Sequence, residues 1–224
     1  MRKPVIAIDG YSSTGKSSIS KIIAQKLGLV HLDTGALYRG ITYFALNNCI
    51  GKDGEINLPE LFSRFNEIEL KFKPVNEELV MFLNGEDISK QIRSNEVSEN
   101  VSLIALQKEV RDFLLDAQRK IAEKGGVIMD GRDIGTVILP NADFKFFLTA
   151  SVEERTKRRF LELKNLGLDT DENTVRENLL SRDKTDSERE VAPLKQAEDA
   201  IVIDNSDFTK YETIDMILSY LKDF

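Results

Sequence analysis

The sequence has no tryptophan, one cysteine and one histidine. A single cysteine, Cys49, excludes an internal disulfide and a thiolate metal cluster, so it reads as a small apolar side chain. The lone His31 lies inside the apolar run "LVHLD" and reads as structural. Long hydrophobic runs are missing as well. No stretch approaches the ~18 apolar residues of a membrane-crossing helix. The start "MRKPVIAIDG" has too short an apolar run for a secretion signal, so a soluble, cytoplasmic protein is expected. Positive charge is not in excess either: 31 Lys and Arg against 38 Asp and Glu give a net charge of −7. An acidic balance repels nucleic acids and anionic membranes, so neither is expected as a partner. Basic residues that act must then be gathered locally. No internal repeat, low-complexity tract or apolar seam stands out, and a monomer is expected.

What is present is an alternation of strands and helices over 224 residues. "PVIAID", "LVHLD", "GVIMDGRD", "FKFFLTA" and "AIVID" are apolar runs of the kind a parallel sheet buries. Helical spacing follows the first at Ile19, Ile22, Ile23 and Leu27, with Gly28 as its stop, and "GALYRGITYFALNN" forms a second helix. The rhythm then changes. "LPELFSRFN" reads as a short helix, and "IELKFKP", "ELVMFL" and "EDI" as antiparallel strands joined at "VNE" and "NG". Helix returns from Asn95 to Glu123 and from Ser151 to Leu166. The charged stretch "DTDENTVRENLLSRDKTDSEREVAPL" reads as helical in places and poorly buried, and "KYETIDMILSYLK" closes the chain. The sum is an α/β fold with a doubly wound five-stranded parallel core, a β-rich insert and a small helical lid.

"DGYSSTGKSS" ends the first strand. Gly10, Gly15, Lys16 and Ser17 fit the phosphate loop G-x-x-x-x-G-K-[ST], between a strand and a helix as its mechanism requires. The loop turns backbone N–H groups of residues Gly10, Tyr11, Ser12, Ser13, Thr14, Gly15, Lys16, Ser17 and Ser18 toward phosphate oxygens. Lys16 reaches the β- and γ-phosphates, and Ser17 offers a hydroxyl to Mg²⁺. ATP and Mg²⁺ are thus expected, with Asp130 or Asp33, each at a strand end, as the second metal carboxylate, directly or through water.

No N-K-x-D follows a strand, which discounts a GTPase. Arginines are gathered instead: Arg39, Arg132, then Arg155, Arg158 and Arg159 on one helix face, and Arg182 and Arg189 flanking Asp186. A phosphate acceptor arrives already ionised and needs no general base, only positive charge against anion repulsion. An arginine-rich, base-poor site suits transfer from one phosphate to another, although Asp33 or Asp130 could still serve as a base. Two rivals remain at this point: a kinase of a small alcohol on the same core, and an ATP-binding module without turnover.

"IDGYSSTGKSS", "LDTGALYRG", "EDISKQIRSNEVSENVS", "DGRDIGTVILPNADFKFFLTASVEERTKRR" and "SRDKTDSEREVAPL" together resemble the bacterial cytidylate kinases, a family similar to adenylate kinase in fold. The likeness runs in order over nearly the whole chain. It implies transfer of the γ-phosphoryl group of ATP to CMP or dCMP. It also implies a core of residues 1–36, 95–155 and 190–224, a nucleotide-binding lobe of residues 37–94 and a lid of residues 156–189. The resemblance assigns Thr34, Gly35, Arg39, Arg132 and Arg189 to the CMP phosphate region. Ser102, Arg111 and Asp133 go to cytosine, and Arg182 and Asp186 to the sugar or the transferring group. Lys16, Arg132, Arg159, Arg182 and Arg189 form its catalytic set. Thr34 stands where the family has serine. Ser102 and Arg111 lie nine positions apart, half a turn out of phase on one helix. Both can face one base only if the helix breaks near Ala105 to Lys108.

Overall fold

The five apolar runs form the five strands of one sheet in a computed structural model that describes residues 2–75 and 78–221. In chain order the strands and helices are β1 (Val5–Gly10), α1 (Lys16–Leu27), β2 (Val30–Asp33), α2 (Thr34–Asn48), α3 (Leu58–Ser63), β3 (Leu70–Val75), β4 (Glu78–Leu83) and β5 (Glu86–Asp87). They continue as α4 (Asn95–Leu106), α5 (Lys108–Ala122), β6 (Val127–Gly131), β7 (Phe144–Thr149), α6 (Val152–Asn165), α7 (Glu172–Glu188), β8 (Ile201–Asp204) and α8 (Lys210–Tyr220). The parallel sheet runs β2-β6-β1-β7-β8. β1 sits at its centre, every residue buried, with Val5 opposite Val127 on one side and Ile6 opposite Phe144 on the other. In such a sheet, strand ends gather at one edge, where ligands bind.

The chain divides into two compact units, residues 33–120 and the remainder. In the larger unit, Ile6, Ile8, Ile128, Phe146, Leu148 and Ile203 from the sheet pack with Ile19 and Ile23 of α1 and Ile214 and Ile217 of α8. Deleting one such side chain to alanine costs about 2–5 kcal/mol. α8 starts on a reciprocal cap, Thr209 accepting from the Glu212 N–H while Glu212 accepts from the Thr209 N–H.

In the smaller unit, Leu37, Ile41 and Phe44 of α2 pack with Leu61, Met81, Ile88, Ile104 and Leu114. β3 and β4 pair antiparallel from Val75 and Glu78 to Leu70 and Leu83, and β4 turns into β5 at Asn84-Gly85, both left-handed, between the paired Leu83 and Glu86, as the "NG" signal requires. Asn76 and Glu77 of the expected "VNE" turn and Lys222 of the closing helix lie outside the described residues.

Two helical readings are refined. α4 stops at Leu106 and α5 starts at Lys108, with Gln107 extended between them (φ −74°, ψ 122°), so the phase argument located a real break. The charged stretch is helical over its middle 17 residues, α7, but is less exposed than its composition suggests. It buries Val175, Leu179, Asp183 and Asp186, two of them carboxylates whose partners the linear pattern does not display.

Candidate active site

Gly10 leaves β1 with φ 151°, and a Cβ there would lie 2.1 Å from the carbonyl oxygen of Leu148 on β7. Only glycine lets the chain turn this close to its neighbour strand. The loop then passes through left-handed Ser13 and Gly15 into α1, whose first turn carries no acidic residue and no side-chain cap. Its carbonyls are held by the protein. Lys16 Nζ (3.0 Å) and Thr14 Oγ1 (3.1 Å) donate to the Tyr11 carbonyl. Asn205 Nδ2 donates to that of Thr14 at 2.9 Å, and Arg155 to that of Ser12 at 3.3 Å. In a trans peptide the N–H opposes the C=O, so carbonyls engaged this way leave the amides for an anion.

Asp130, at the end of β6, is buried and accepts from Ser17 Oγ. Its other oxygen pairs with His31 Nε2 at 2.6 Å. Ser17 hydroxyl and Asp130 carboxylate are hard oxygen donors side by side, and Mg²⁺ takes one or two such protein ligands while keeping its waters. Among the described residues no group of three or more His, Cys, Asp or Glu gathers as a metal cage. Asp33 belongs to the other unit, where it precedes α2.

Arginines and carboxylates fill the rest of the strand-end edge in the larger unit. Arg132 donates from Nε to Asp186 Oδ2 (2.8 Å) and from one terminal nitrogen to Ser12 Oγ (2.8 Å). Arg189 donates to Asp133 Oδ1 at 3.1 Å and stands 3.8 Å from Asp186 Oδ1. Burial would raise the Asp186 pKa, but the charge and hydrogen bond of Arg132, with the charges of Arg182 and Arg189, hold it below the ordinary carboxylate value. So Arg132, Arg182, Asp186 and Arg189 are brought together. Arg189, however, lies past the end of α7 with extended backbone, not on its face.

The trio on α6 splits up. Arg155 is buried and pairs with Asp183 at 2.5 Å, its guanidinium 5.2 Å from the centroid of the Tyr11 ring. Arg158 bonds Glu154 and Asn205. Arg159 pairs with Glu162 one turn on.

In the smaller unit Thr34 is buried at the first turn of α2, followed by Gly35. Arg39 donates to Ser98 Oγ (2.9 Å) and the Ile92 carbonyl (3.2 Å). Arg111 is buried, 5.4 Å from the Tyr38 ring centroid, and donates back across the helix break to the Ala105 carbonyl at 3.2 Å. Ser102 is half-buried on α4.

Three participants escaped the sequence reading. His31 is not merely a strand filler but the partner of Asp130. Asn205, just past β8, grips the phosphate loop, and nothing in its local sequence announces this. Asp9 was visible beside Gly10, yet its burial was not. Burial pushes its pKa up to about 7 against the N–H groups of Gly135 and Ile134, with the Asp133 charge adding to the rise and Lys16 opposing it.

Residues 6–223 match the family model for cytidylate kinase. A cytidylate kinase of Bacillus velezensis is 48% identical over 221 residues, covering 99% of this chain and 97% of the relative. A cytidylate kinase of an Exiguobacterium species is 51% identical over 202 residues, covering 90% and 88%. Among solved structures, an uncharacterized protein from Eubacterium ventriosum shares the fold with a TM-score of 0.50, at 16% identity and 99% coverage of both chains.

Proposed function

The chain belongs to the cytidylate kinase family, and from that premise we propose that it transfers the γ-phosphoryl group of ATP to CMP or dCMP. The observation that carries the reading, beside the relatives, is a phosphate loop with three arginines drawn around Asp186 next to it. A CMP phosphate oxygen attacks the γ-phosphorus in line, the bond to the β,γ-bridging oxygen breaks, and ADP leaves. No base is needed, because the acceptor phosphate is already largely ionised near neutrality.

Residues 10–18 cradle the ATP phosphates, with Lys16 on the β- and γ-groups. Ser17 and Asp130 would hold Mg²⁺, which supplies charge neutralisation between those phosphates. Paired with Asp130, His31 keeps that carboxylate turned toward Ser17. Arg132, Arg159, Arg182 and Arg189 offset the charge that develops on the transferred group. Thr34, Gly35, Arg39, Arg132 and Arg189 take the acceptor phosphate. The threonine hydroxyl keeps the donor that serine supplies elsewhere in the family and adds a methyl group. Asp186 and Arg182 serve the sugar or the transferring group. Ser102, Arg111 and Asp133 read cytosine, Asp133 accepting from the exocyclic amine, where uracil would present a carbonyl instead. Residues 156–189 act as a lid that excludes water during transfer. The acidic balance disfavours a nucleic-acid or membrane partner, the sequence shows no apolar seam that would call for more than a monomer, and its short apolar runs suit a cytoplasmic protein.

A coupled assay with ATP, Mg²⁺ and a panel of CMP, dCMP, UMP and AMP tests the reading. CDP and dCDP are the expected products. Folded protein that binds ATP and yields no CDP overturns it, and turnover of a small alcohol instead would install the rival kinase.

A further inference from the structure

We infer that Asp9 is a positioning residue for the acceptor side of the reaction, tying the end of β1 to the backbone after β6 and so setting the aim of Arg132 and Asp133. This rests on the proposal that those two residues contact CMP. Asp9 is 4% exposed at the end of β1. Its Oδ1 accepts from the Ile134 N–H and its Oδ2 from the Gly135 N–H, each at 2.8 Å. These donors open a π-helical turn, Ile134–Ile138, directly after Arg132 and Asp133. The bonds of that turn run from Val137 and Ile138 to Asp133 and from Leu139 to Ile134, so they start beyond the first two amides. Amides at a helix start have no acceptor inside the helix and need one from outside.

A single carboxylate serves both amides and thereby fixes the plane of two successive peptides. Burying it is costly, and a shorter neutral cap would satisfy one amide at lower desolvation cost. Gly135 keeps the approach open: a Cβ there would lie 3.1 Å from Lys145 Cδ and 3.4 Å from Asp9 Oδ2. The far end of the same segment is held too, since Arg132 donates to Ser12 Oγ. The stretch of residues 132–135 is therefore pinned at one end to Ser12 in the phosphate loop and at the other to Asp9 just before it. Asp9 adjoins that loop in sequence, yet its bonds go to the segment carrying Arg132 and Asp133. Its loss should fall on CMP rather than on ATP.

The test is Asp9→Asn in the intact enzyme. Asparagine keeps the shape but sets an NH₂ group against one of the two amides. KM for CMP should rise roughly tenfold or more and preference for CMP over UMP should drop by a similar factor, while KM for ATP stays within about twofold. Equal effects on both substrates, or no effect on CMP, overturn the inference. Asp133→Ala measured alongside separates two failures. If Asp133→Ala leaves CMP binding and base preference intact, the reading of the loop itself falls. If Asp133→Ala weakens CMP and Asp9→Asn does not, only the role of Asp9 falls. Should Asp9→Asn not fold, NMR of the unmodified protein decides. The Ile134 and Gly135 amides should exchange slowly and shift on saturation with CMP but not with ATP alone; amides that ignore CMP sink the inference.

Discussion

Arg155 and Arg158 differ from Arg132 and Arg189 in what they hold. Each of the first pair holds two backbone carbonyls, one of them in the phosphate loop: Ala150 and Ser12 for Arg155, Asn205 and, at 3.5 Å, Thr14 for Arg158, beside the carboxylates of Asp183 and Glu154. Each of the second pair holds one carbonyl close by in its own sequence, Gly131 for Arg132 and Ala192 for Arg189, and otherwise side-chain oxygens on Asp186, Ser12 and Asp133. A guanidinium that clamps a carbonyl of the phosphate loop from another element is part of the frame. A guanidinium on a carboxylate without such a clamp can trade it for a phosphate of like charge and geometry at small cost.

The sharpest way to break this contrast lies in the exchangeable group. Arg182→Ala should lower kcat by roughly 10²–10⁴, as for other arginines acting on a transferring phosphoryl group. A loss below threefold in steady-state assays removes Arg182 from catalysis. The frame should fail differently. Arg155→Ala leaves Asp183 buried without its ion pair and should cost about 3–5 kcal/mol. That would lower Tm by about 2–4 °C per kcal/mol in a calorimetric scan of a chain this size. An unchanged Tm would mean that Arg155 is not framework.

Smaller effects sharpen the contrast. Asp133→Ala should raise KM for CMP about tenfold with little change for ATP, and equal changes would count against a base-reading role. pH separates two acids of opposite kind. The Asp9 pKa is raised to about 7, so the folded state holds a proton that the unfolded chain has released. Its contribution is present below pH ~4 and lost as pH rises toward 7. Asp186 is lowered, so its contribution is present above pH ~4 and lost only in stronger acid. The stability of the unmodified protein relative to Asp9→Asn should therefore fall between pH ~4 and ~7. A flat difference in thermal melts would contradict it.

Much of the fold was legible because strands and helices write their periods into the chain. The five sheet runs, the Asn84-Gly85 turn and the phosphate loop all follow from local chemistry. Even the break at Gln107 could be placed, since two residues assigned to one base cannot share a face at a spacing of nine. What stayed hidden depends on distant partners. His31 and Asp130 are 99 residues apart in sequence, and no local pattern joins them. The i, i+3, i+4 spacing of Arg155, Arg158 and Arg159 promised one shared surface but could not say what each would meet. α7 reads as poorly buried because its buried side is half carboxylate, and those carboxylates are bearable inside only beside arginines from other elements.

The most direct test of arginine exchange follows the side-chain Nε–H signals by ¹⁵N NMR while CMP and a non-hydrolysable ATP analogue are added together with Mg²⁺. The Arg132 signal should move as its bond passes from Asp186 to phosphate, and the Arg155 signal should stay. An Arg132 signal that holds still while Arg155 shifts would reverse the two roles and contradict the account.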